Sequence, residues 1–171
     1  MTMFGVAETV ERLRTSLAII EWAVEQVPDK WTHALPDFLP DVSWSVAMNL
    51  AHMTIYEEKI SGPALRALAA GGDGVGATPS PAENWFLDDA VALSHAQVGE
   101  IMRRLVAGRA EQIASVAGYD EDRFNARVTP LWASGRHGAP PHSAGWVATK
   151  TFQHTWEHGN AILRMALFAP P

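Results

Sequence analysis

The segment Trp-Val-Ala-Thr-Lys-Thr-Phe-Gln-His-Thr-Trp-Glu-His-Gly-Asn-Ala-Ile-Leu-Arg-Met-Ala-Leu, residues 146–167, contains no proline and predicts one continuous helix. A candidate core seam runs along it in steps of four, three, four, three and four residues, the spacing of a helix packed in a bundle. The seam positions are Val147, Thr151, His154, His158, Ala161 and Met165. The segment therefore predicts a helical bundle whose last helix buries this face.

Two consecutive positions of the seam are histidines, His154 and His158. A buried imidazole needs a partner for each ring nitrogen, and rings four residues apart on a helix project toward one point. A divalent metal would satisfy both rings, whereas separate hydrogen bonds or exposure are the alternatives for such a pair taken alone. Thr155 stands where the zinc-protease motif His-Glu-x-x-His has its glutamate, which excludes that class. A third ligand must come from elsewhere in the chain.

Composition limits the classes of function. The 171 residues predict a single domain, residues 1–171, and 47% hydrophobic with 19% charged residues is ordinary for a globular protein. The net charge of -6, without clustered Lys and Arg, predicts that nucleic acid is not a partner. No signal sequence and no run of membrane-spanning length is found, which predicts a cytoplasmic protein with no membrane partner. Cysteine is absent, so a metal site has to use histidines and carboxylates.

Apolar residues spaced three and four apart predict four long helices. The first covers residues 6–27 and ends before Pro28, and the second runs over residues 44–60. Ser61-Gly62-Pro63 is expected to break or kink the second helix before a short restart through Ala70.

The third helix is expected to start after the cap Asn84 and to run to Gly108 or irregularly to Ala117. Its predicted seam is Leu87, Val91, Ser94, Val98, Ile101 and Leu105. The connections at residues 71–84 and 118–145 are rich in Gly and Pro. Together these features predict an all-α fold, a four-helix bundle with long second and third connections.

The third candidate ligand is His52, an imidazole inside the otherwise apolar second helix. Bundles often build metal sites from inward side chains on facing helices, and three imidazoles leave at least one coordination position open, as catalytic sites do. Three separately hydrogen-bonded histidines are the alternative. The remaining histidines have no assigned role: His33, His95, His137 and His142.

Two short stretches resemble the DinB-like/YfiT-like superfamily of metal-binding four-helix bundles. One is Trp44-Ser45 leading into the helix that carries His52, and the other is Phe-Gln-His-Thr-Trp-Glu-His-Gly-Asn-Ala-Ile, residues 152–162. The last helix of this family carries His-x-x-x-His, with Glu before the second His and small or amide residues after it.

The resemblance implies a divalent metal, zinc or nickel, bound by His52, His154 and His158, and it also implies a homodimer. Several members transfer bacillithiol, mycothiol or glutathione to an electrophile. The mycothiol-dependent maleylpyruvate isomerases of the family have Glu where His154 stands, Asp after the second His, and an appended C-terminal domain. This sequence has none of these features, so a generic thiol S-transferase with a small-molecule substrate is the preferred prediction.

The expected chemistry follows from an open metal position, where the ion would lower the pKa of a thiol or of water. Glu157 points about a hundred degrees away from His158 on the helix, which predicts a supporting or surface role instead of that of a base. Trp44, Trp132 and Arg136 are candidates for lining the mouth of the site. The alternatives are a metal-dependent hydrolase, a non-enzymatic small-molecule-binding or stress-response module, and an interaction domain without metal.

Overall fold

The computed structural model of the chain describes residues 4–72, 85–127 and 143–169. These residues form α-helices joined by turns, and no strand occurs among them. The helices are α1 (Val6–Gln26), α2 (Val46–Tyr56), α3 (Gly62–Ala69), α4 (Trp85–Ser94), α5 (Val98–Ala117), α6 (Glu121–Asn125) and α7 (Ala144–Phe168). A 3₁₀ turn, Asp29–Trp31, follows α1, and a π-helical turn, Glu57–Ser61, joins α2 to α3. The predicted all-α fold class is confirmed.

The long helices pack as a four-helix bundle, as predicted. Helix α1 packs against α5 and α7, and α2 packs against the same two helices and against α4. Helices α1 and α2 therefore occupy opposite corners of the bundle, each between α5 and α7. This arrangement places the helix that carries His52 against the helix that carries His154 and His158.

Helix α7 starts two residues earlier than predicted because Ser143 caps it, its hydroxyl accepting a hydrogen bond from the Trp146 amide at 3.0 Å. The predicted seam is wrong at its centre, where His154 and His158 are only half-buried. Within the helix the buried positions run instead through Val147, Thr151, Thr155, Gly159, Ile162 and Met165. The two histidines lie along the edge of this buried face, where a ligand could reach them.

The close approach of α1 determines which face of α7 is buried. A Cβ atom built on Gly159 would lie 2.1 Å from Cδ1 of Ile20, a side chain of α1 that is itself buried. Only a glycine lets the two helices meet at this distance. The predicted seam omitted Gly159 because a glycine adds no apolar side chain to the spacing pattern.

The predicted break at Ser61-Gly62-Pro63 is a widened turn within a continuing helix. Pro63 has no N–H, and in a regular helix its ring would collide with the carbonyl of Lys59. The π-helical turn at Glu57–Ser61 relieves this conflict, and it requires Gly62, because a Cβ there would lie 2.6 Å from the carbonyl oxygen of Glu57. The carboxylate of Glu57, the first residue of this turn, is buried in the core.

The predicted third helix is two helices, α4 and α5, separated by residues 95–97. The hydroxyl of Ser94 donates a 2.7 Å hydrogen bond to the carbonyl of Val91, and Gln97 has an extended backbone with φ -60° and ψ 138°. The break shifts the buried register in α4, where Leu93 is buried and Val91 is exposed. Helix α5 then continues to Ala117. The predicted cap Asn84 lies outside the described residues.

The predicted connection at residues 118–145 contains the short helix α6, capped by Asp120, whose side chain accepts a hydrogen bond from the amide of Arg123 at 2.8 Å. Phe124 of α6 is buried in a cluster with Ala144 and Val147 at the start of α7. Among the helices described, none is long and apolar enough to cross a membrane. The single-domain assignment of residues 1–171 stays a prediction.

Candidate metal centre

His52 of α2 meets His154 and His158 of α7 in one cluster. The nitrogen atoms that each residue offers as a ligand all lie within 4.8 Å of one another. Ring centroids are 4.4 Å apart for His52 and His158, 4.5 Å for His154 and His158, and 4.9 Å for His52 and His154. Tetrahedral zinc bound at the usual distance needs nitrogens about 3.4 Å apart, so small side-chain rotations would close the cluster around an ion.

Helix α2 presents a face of three polar side chains to α7. Ser45 caps the helix by accepting a 3.2 Å hydrogen bond from the amide of Met48. Asn49, His52 and Tyr56 then follow at spacings of three and four, which places them on one side of the helix. Asn49 contacts His158 and Tyr56 contacts His154, so α2 and α7 run antiparallel across the site.

Asn49 determines which nitrogen of His158 is available. The amide nitrogen of Asn49 donates to the carbonyls of Trp44 and Ser45, at 3.2 and 3.0 Å. Its oxygen therefore faces His158, where Nδ1 lies 3.3 Å away. Because that oxygen only accepts, the proton of the neutral imidazole resides on Nδ1. Nε2 keeps its lone pair, and the same kind of contact orients metal-binding histidines generally.

Two aromatic rings flank the cluster. Trp44 stacks on His158 with ring centroids 5.2 Å apart and planes 9° from parallel, and it also lies 4.9 Å from the His52 ring. Tyr56 stacks on His154 at 4.0 Å and 24°. These contacts restrict the rotation of the imidazoles and exclude water from one side of each.

Of the other residues that the sequence singled out, one lies at the cluster, two are exposed elsewhere, and the rest lie outside the described residues. Trp44, a predicted lining residue, touches two of the three histidines. Trp132 and Arg136 lie outside the described residues, as do His137 and His142. His33 and His95 are exposed, away from the cluster of three.

The electrostatic environment keeps the histidines neutral. Burial, followed by the charge of His158, lowers the pKa of His52 to about 4. Burial also lowers the pKa of His154 to about 2, helped by the repulsion that His158 and His52 exert when they are protonated and by the positive charge of Arg109. The pKa of His158 is lowered by burial too, although Glu157 opposes the change. Neutral imidazole is the form that coordinates a metal, so the donor set fits a divalent cation at pH 7.

A buried ion pair next to the cluster was missed by the sequence analysis. The guanidinium of Arg109 in α5 is fully buried, and it is paired with both carboxylate oxygens of Glu57. It also donates to the carbonyl of Leu13 at 2.8 Å, to Oγ of Ser16 at 3.0 Å and to Oγ1 of Thr155 at 2.6 Å. Arg109 thus joins α1, the π-helical turn and α7, and Thr155 directly follows the candidate ligand His154.

A signal for this pair was present in the sequence. Arg109 follows Ile101 and Leu105 at the four-residue spacing of the predicted seam, and Gln112 and Val116 continue the pattern. A charged residue at a seam position requires a buried partner. Burial raises the pKa of Glu57 despite the neighbouring guanidinium.

Solved structures with the same fold share little sequence with this chain. A protein from Streptococcus pneumoniae matches with a TM-score of 0.77 and 11% identity, over 99% of this chain and 94% of the other. A mycothiol-dependent maleylpyruvate isomerase matches with a TM-score of 0.71 and 12% identity, over 95% of this chain and 63% of the isomerase. Among curated proteins, none matches the sequence.

The prediction from net charge that nucleic acid is not a partner is wrong for proteins that share this fold. The colibactin self-resistance protein ClbS, crystallised in complex with double-stranded DNA, matches with a TM-score of 0.64 and 13% identity, over 94% of this chain and 93% of ClbS. A DNA complex therefore occurs within the fold, and net charge alone does not exclude one. Net charge averages over the whole surface, whereas binding depends on local patches.

The family is shown by the sequence itself. The profile of the DinB superfamily matches residues 12–162, which include the three clustered histidines and all four long helices in whole or in large part. The predicted resemblance is confirmed: this chain belongs to the DinB superfamily.

Proposed function

We propose that this protein is a divalent-metal-dependent enzyme that transfers a low-molecular-weight thiol to a small electrophile. The observation that carries the proposal is the convergence of His52, His154 and His158 from two facing helices. Membership of the DinB superfamily and the fold shared with a thiol-dependent isomerase support it. Zinc and nickel are the proposed ions, because imidazole donors suit both.

In this proposal the three imidazoles hold the ion and leave a position for a further ligand. A bound divalent ion supplies Lewis acidity, which lowers the pKa of a thiol or of water. Asn49 keeps the proton of His158 on Nδ1, so that Nε2 is available. Trp44 and Tyr56 shield the imidazole faces from water, which strengthens electrostatic interactions inside the site.

The overall transfer forms a bond between the thiol sulfur and a carbon of the electrophile. The leaving group departs with the electron pair of the broken bond, and the thiol proton passes to solvent. Transfer is preferred to hydrolysis on the family resemblance and on the fold shared with a thiol-dependent isomerase, and among the described residues no carboxylate joins the three histidines as a ligand.

Metal content is the first test. Tag-free wild-type protein, loaded with zinc or nickel and desalted, should retain about one ion per chain by mass spectrometry, and His154→Ala should lose it. The matched control is His95→Ala, which removes an exposed histidine and should retain the ion. Wild-type protein that stays empty would overturn the proposal.

Turnover is the second test. The loaded protein is mixed with a thiol and 1-chloro-2,4-dinitrobenzene, and the thioether is measured with and without His154→Ala. Turnover that needs both the thiol and His154 supports transfer. Ester cleavage in the absence of thiol would show that the protein is a metal-dependent hydrolase instead. Metal retention without turnover in a broad screen would show that it is a non-enzymatic binding module.

A further inference from the structure

A polar cleft of about 210 Å³ lies beside the histidine cluster. It runs between residues 41–44 and the outer side of α7, and Trp44 and Asn49 belong both to its lining and to the histidine site. The cleft therefore adjoins the histidine site at Trp44 and Asn49.

The cleft has an unbalanced negative charge. Asp41 and Arg164 neutralise each other through two parallel hydrogen bonds of 2.8 and 2.9 Å. The carboxylate of Glu157 instead accepts a 3.0 Å hydrogen bond from the uncharged amide of Gln153, and no ion pair to it is found in the described part of the chain. Lys150 is held by the other end of that amide, donating to the oxygen of Gln153 at 2.9 Å.

The charge of Glu157 acts on the site as well as on the cleft. On α7 it directly precedes His158, and it is one of the residues that line the cleft to which Trp44 also belongs. A tail group in the cleft and a thiol at the histidines would therefore both lie within the field of this carboxylate. Because the charges of Asp41 and Arg164 cancel, Glu157 supplies the uncompensated charge of the cleft itself, where the tail of the thiol would lie.

We infer that Glu157 selects the charge of the thiol co-substrate, so that the cleft accepts a small thiol with an ammonium group on its tail and disfavours one with a carboxylate. The inference rests on the proposed function and adds the substrate class to it. Glu157 acts here as a specificity-determining residue and takes no part in proton transfer.

Three thiols of similar size and different charge test the inference: cysteamine, 2-mercaptoethanol and mercaptoacetate. Their binding to the metal-loaded protein is measured by calorimetry, which does not depend on turnover. The quantity of interest is the ratio of the Kd of mercaptoacetate to that of cysteamine. The intrinsic difference in thiol acidity contributes equally to wild type and variant, so it cancels when the two ratios are compared.

Glu157→Gln is expected to reduce this ratio by about fivefold, the effect of one unit charge a few ångströms away in a partly solvated site. The matched control is Asp122→Asn, an exposed carboxylate on α6, which packs at the opposite end of α7, and it should leave the ratio unchanged. An unchanged ratio in Glu157→Gln, with thiols still binding, overturns the inference and leaves the proposed function standing. Failure of all three thiols to bind the loaded wild-type protein overturns the proposed function itself.

Discussion

At the level of single residues, Asn49 orients the ring of His158 in the candidate site. Both hydrogens of its amide are used by backbone carbonyls at the start of α2, so its oxygen must face the His158 ring. A helix start thereby fixes the tautomer of a histidine on another helix. Sequence spacing places Asn49 three residues before His52 but does not reveal this contact.

Asn49→Ala is expected to weaken metal binding by about 10- to 100-fold, the usual cost of removing a partner that orients a histidine ligand. The measurement is competition with a chromophoric chelator. Asn125→Ala, which removes an exposed asparagine of α6, is the control and should bind as the wild type does. Equal affinity in the two variants would contradict the role assigned to Asn49.

The lowered histidine pKa values predict how the metal-free protein responds to pH. His52 has a folded-state pKa of about 4 and His154 one of about 2, whereas both return to about 6.5 on unfolding. Below pH 6.5 the unfolded chain therefore binds more protons, so the free energy of unfolding falls as pH decreases. Each histidine contributes at most about 1.4 kcal/mol per pH unit, from pH 6.5 down to its folded pKa.

Urea unfolding of the metal-free protein at pH 7.5 and 5.5 measures this loss. His52→Asn removes one of the two groups, so the variant should lose less stability than the wild type between the two pH values. The same slope in both proteins would show that His52 is not held neutral in the folded state.

At the level of helices, the contact between α1 and α7 depends on Gly159. Glycine in the middle of a helix ordinarily costs about 1 kcal/mol relative to alanine, so its presence needs a compensating gain. The gain is the close packing of Ile20 against the backbone of α7. This contact sets the rotation of α7, and with it the position of the two histidines at the edge of the buried face.

Gly159→Ala should destabilise the fold by about 1–2 kcal/mol, because overpacking of up to about 3 kcal/mol exceeds the helix-propensity gain of about 1 kcal/mol. Ile20→Ala alone removes a buried side chain and should cost about 2–5 kcal/mol. The double variant should cost clearly less than the sum, since the new methyl group fills the space left by Ile20. Strictly additive values in urea unfolding would contradict the packing described here.

At the level of the whole molecule, the buried pair of Arg109 and Glu57 links the helices of the bundle to one another next to the candidate site. One guanidinium contacts α1, the π-helical turn and α7 from its position on α5. Gln112 adds a further hydrogen bond to Glu57 at 3.0 Å. Such a network specifies which helices meet and in which register.

Arg109→Met should destabilise the protein by about 3–5 kcal/mol, because it leaves the buried carboxylate of Glu57 without a cation. The double variant with Glu57→Met removes both charges and should recover a large part of that loss, as apolar replacement of a buried pair often does. Chemical denaturation of the single and double variants measures these changes in the free energy of unfolding. A double variant less stable than Arg109→Met alone would show that the charges are not coupled in this way.

Much of the fold was predictable because local patterns report it. Helix positions follow from apolar spacing, and the ends of α1 and α7 lie within two residues of those predicted. The three histidines could be selected as well, since two share a helix face and the third interrupts an apolar run. The division of the third helix was not predictable from spacing, because the apolar steps of the sequence continue across residues 95–97, although the structure buries a different face of α4.

The sequence by itself determined the helical class, the superfamily and the identity of the three histidines, because each of these is encoded in residue types and short spacings. Tertiary structure alone decided that the histidines lie at the edge of the buried face, that Asn49 orients His158, and that Arg109 pairs with Glu57. These features depend on which helices meet and at what distance. That information lies in contacts between residues 46 to 109 positions apart, beyond the reach of any local pattern.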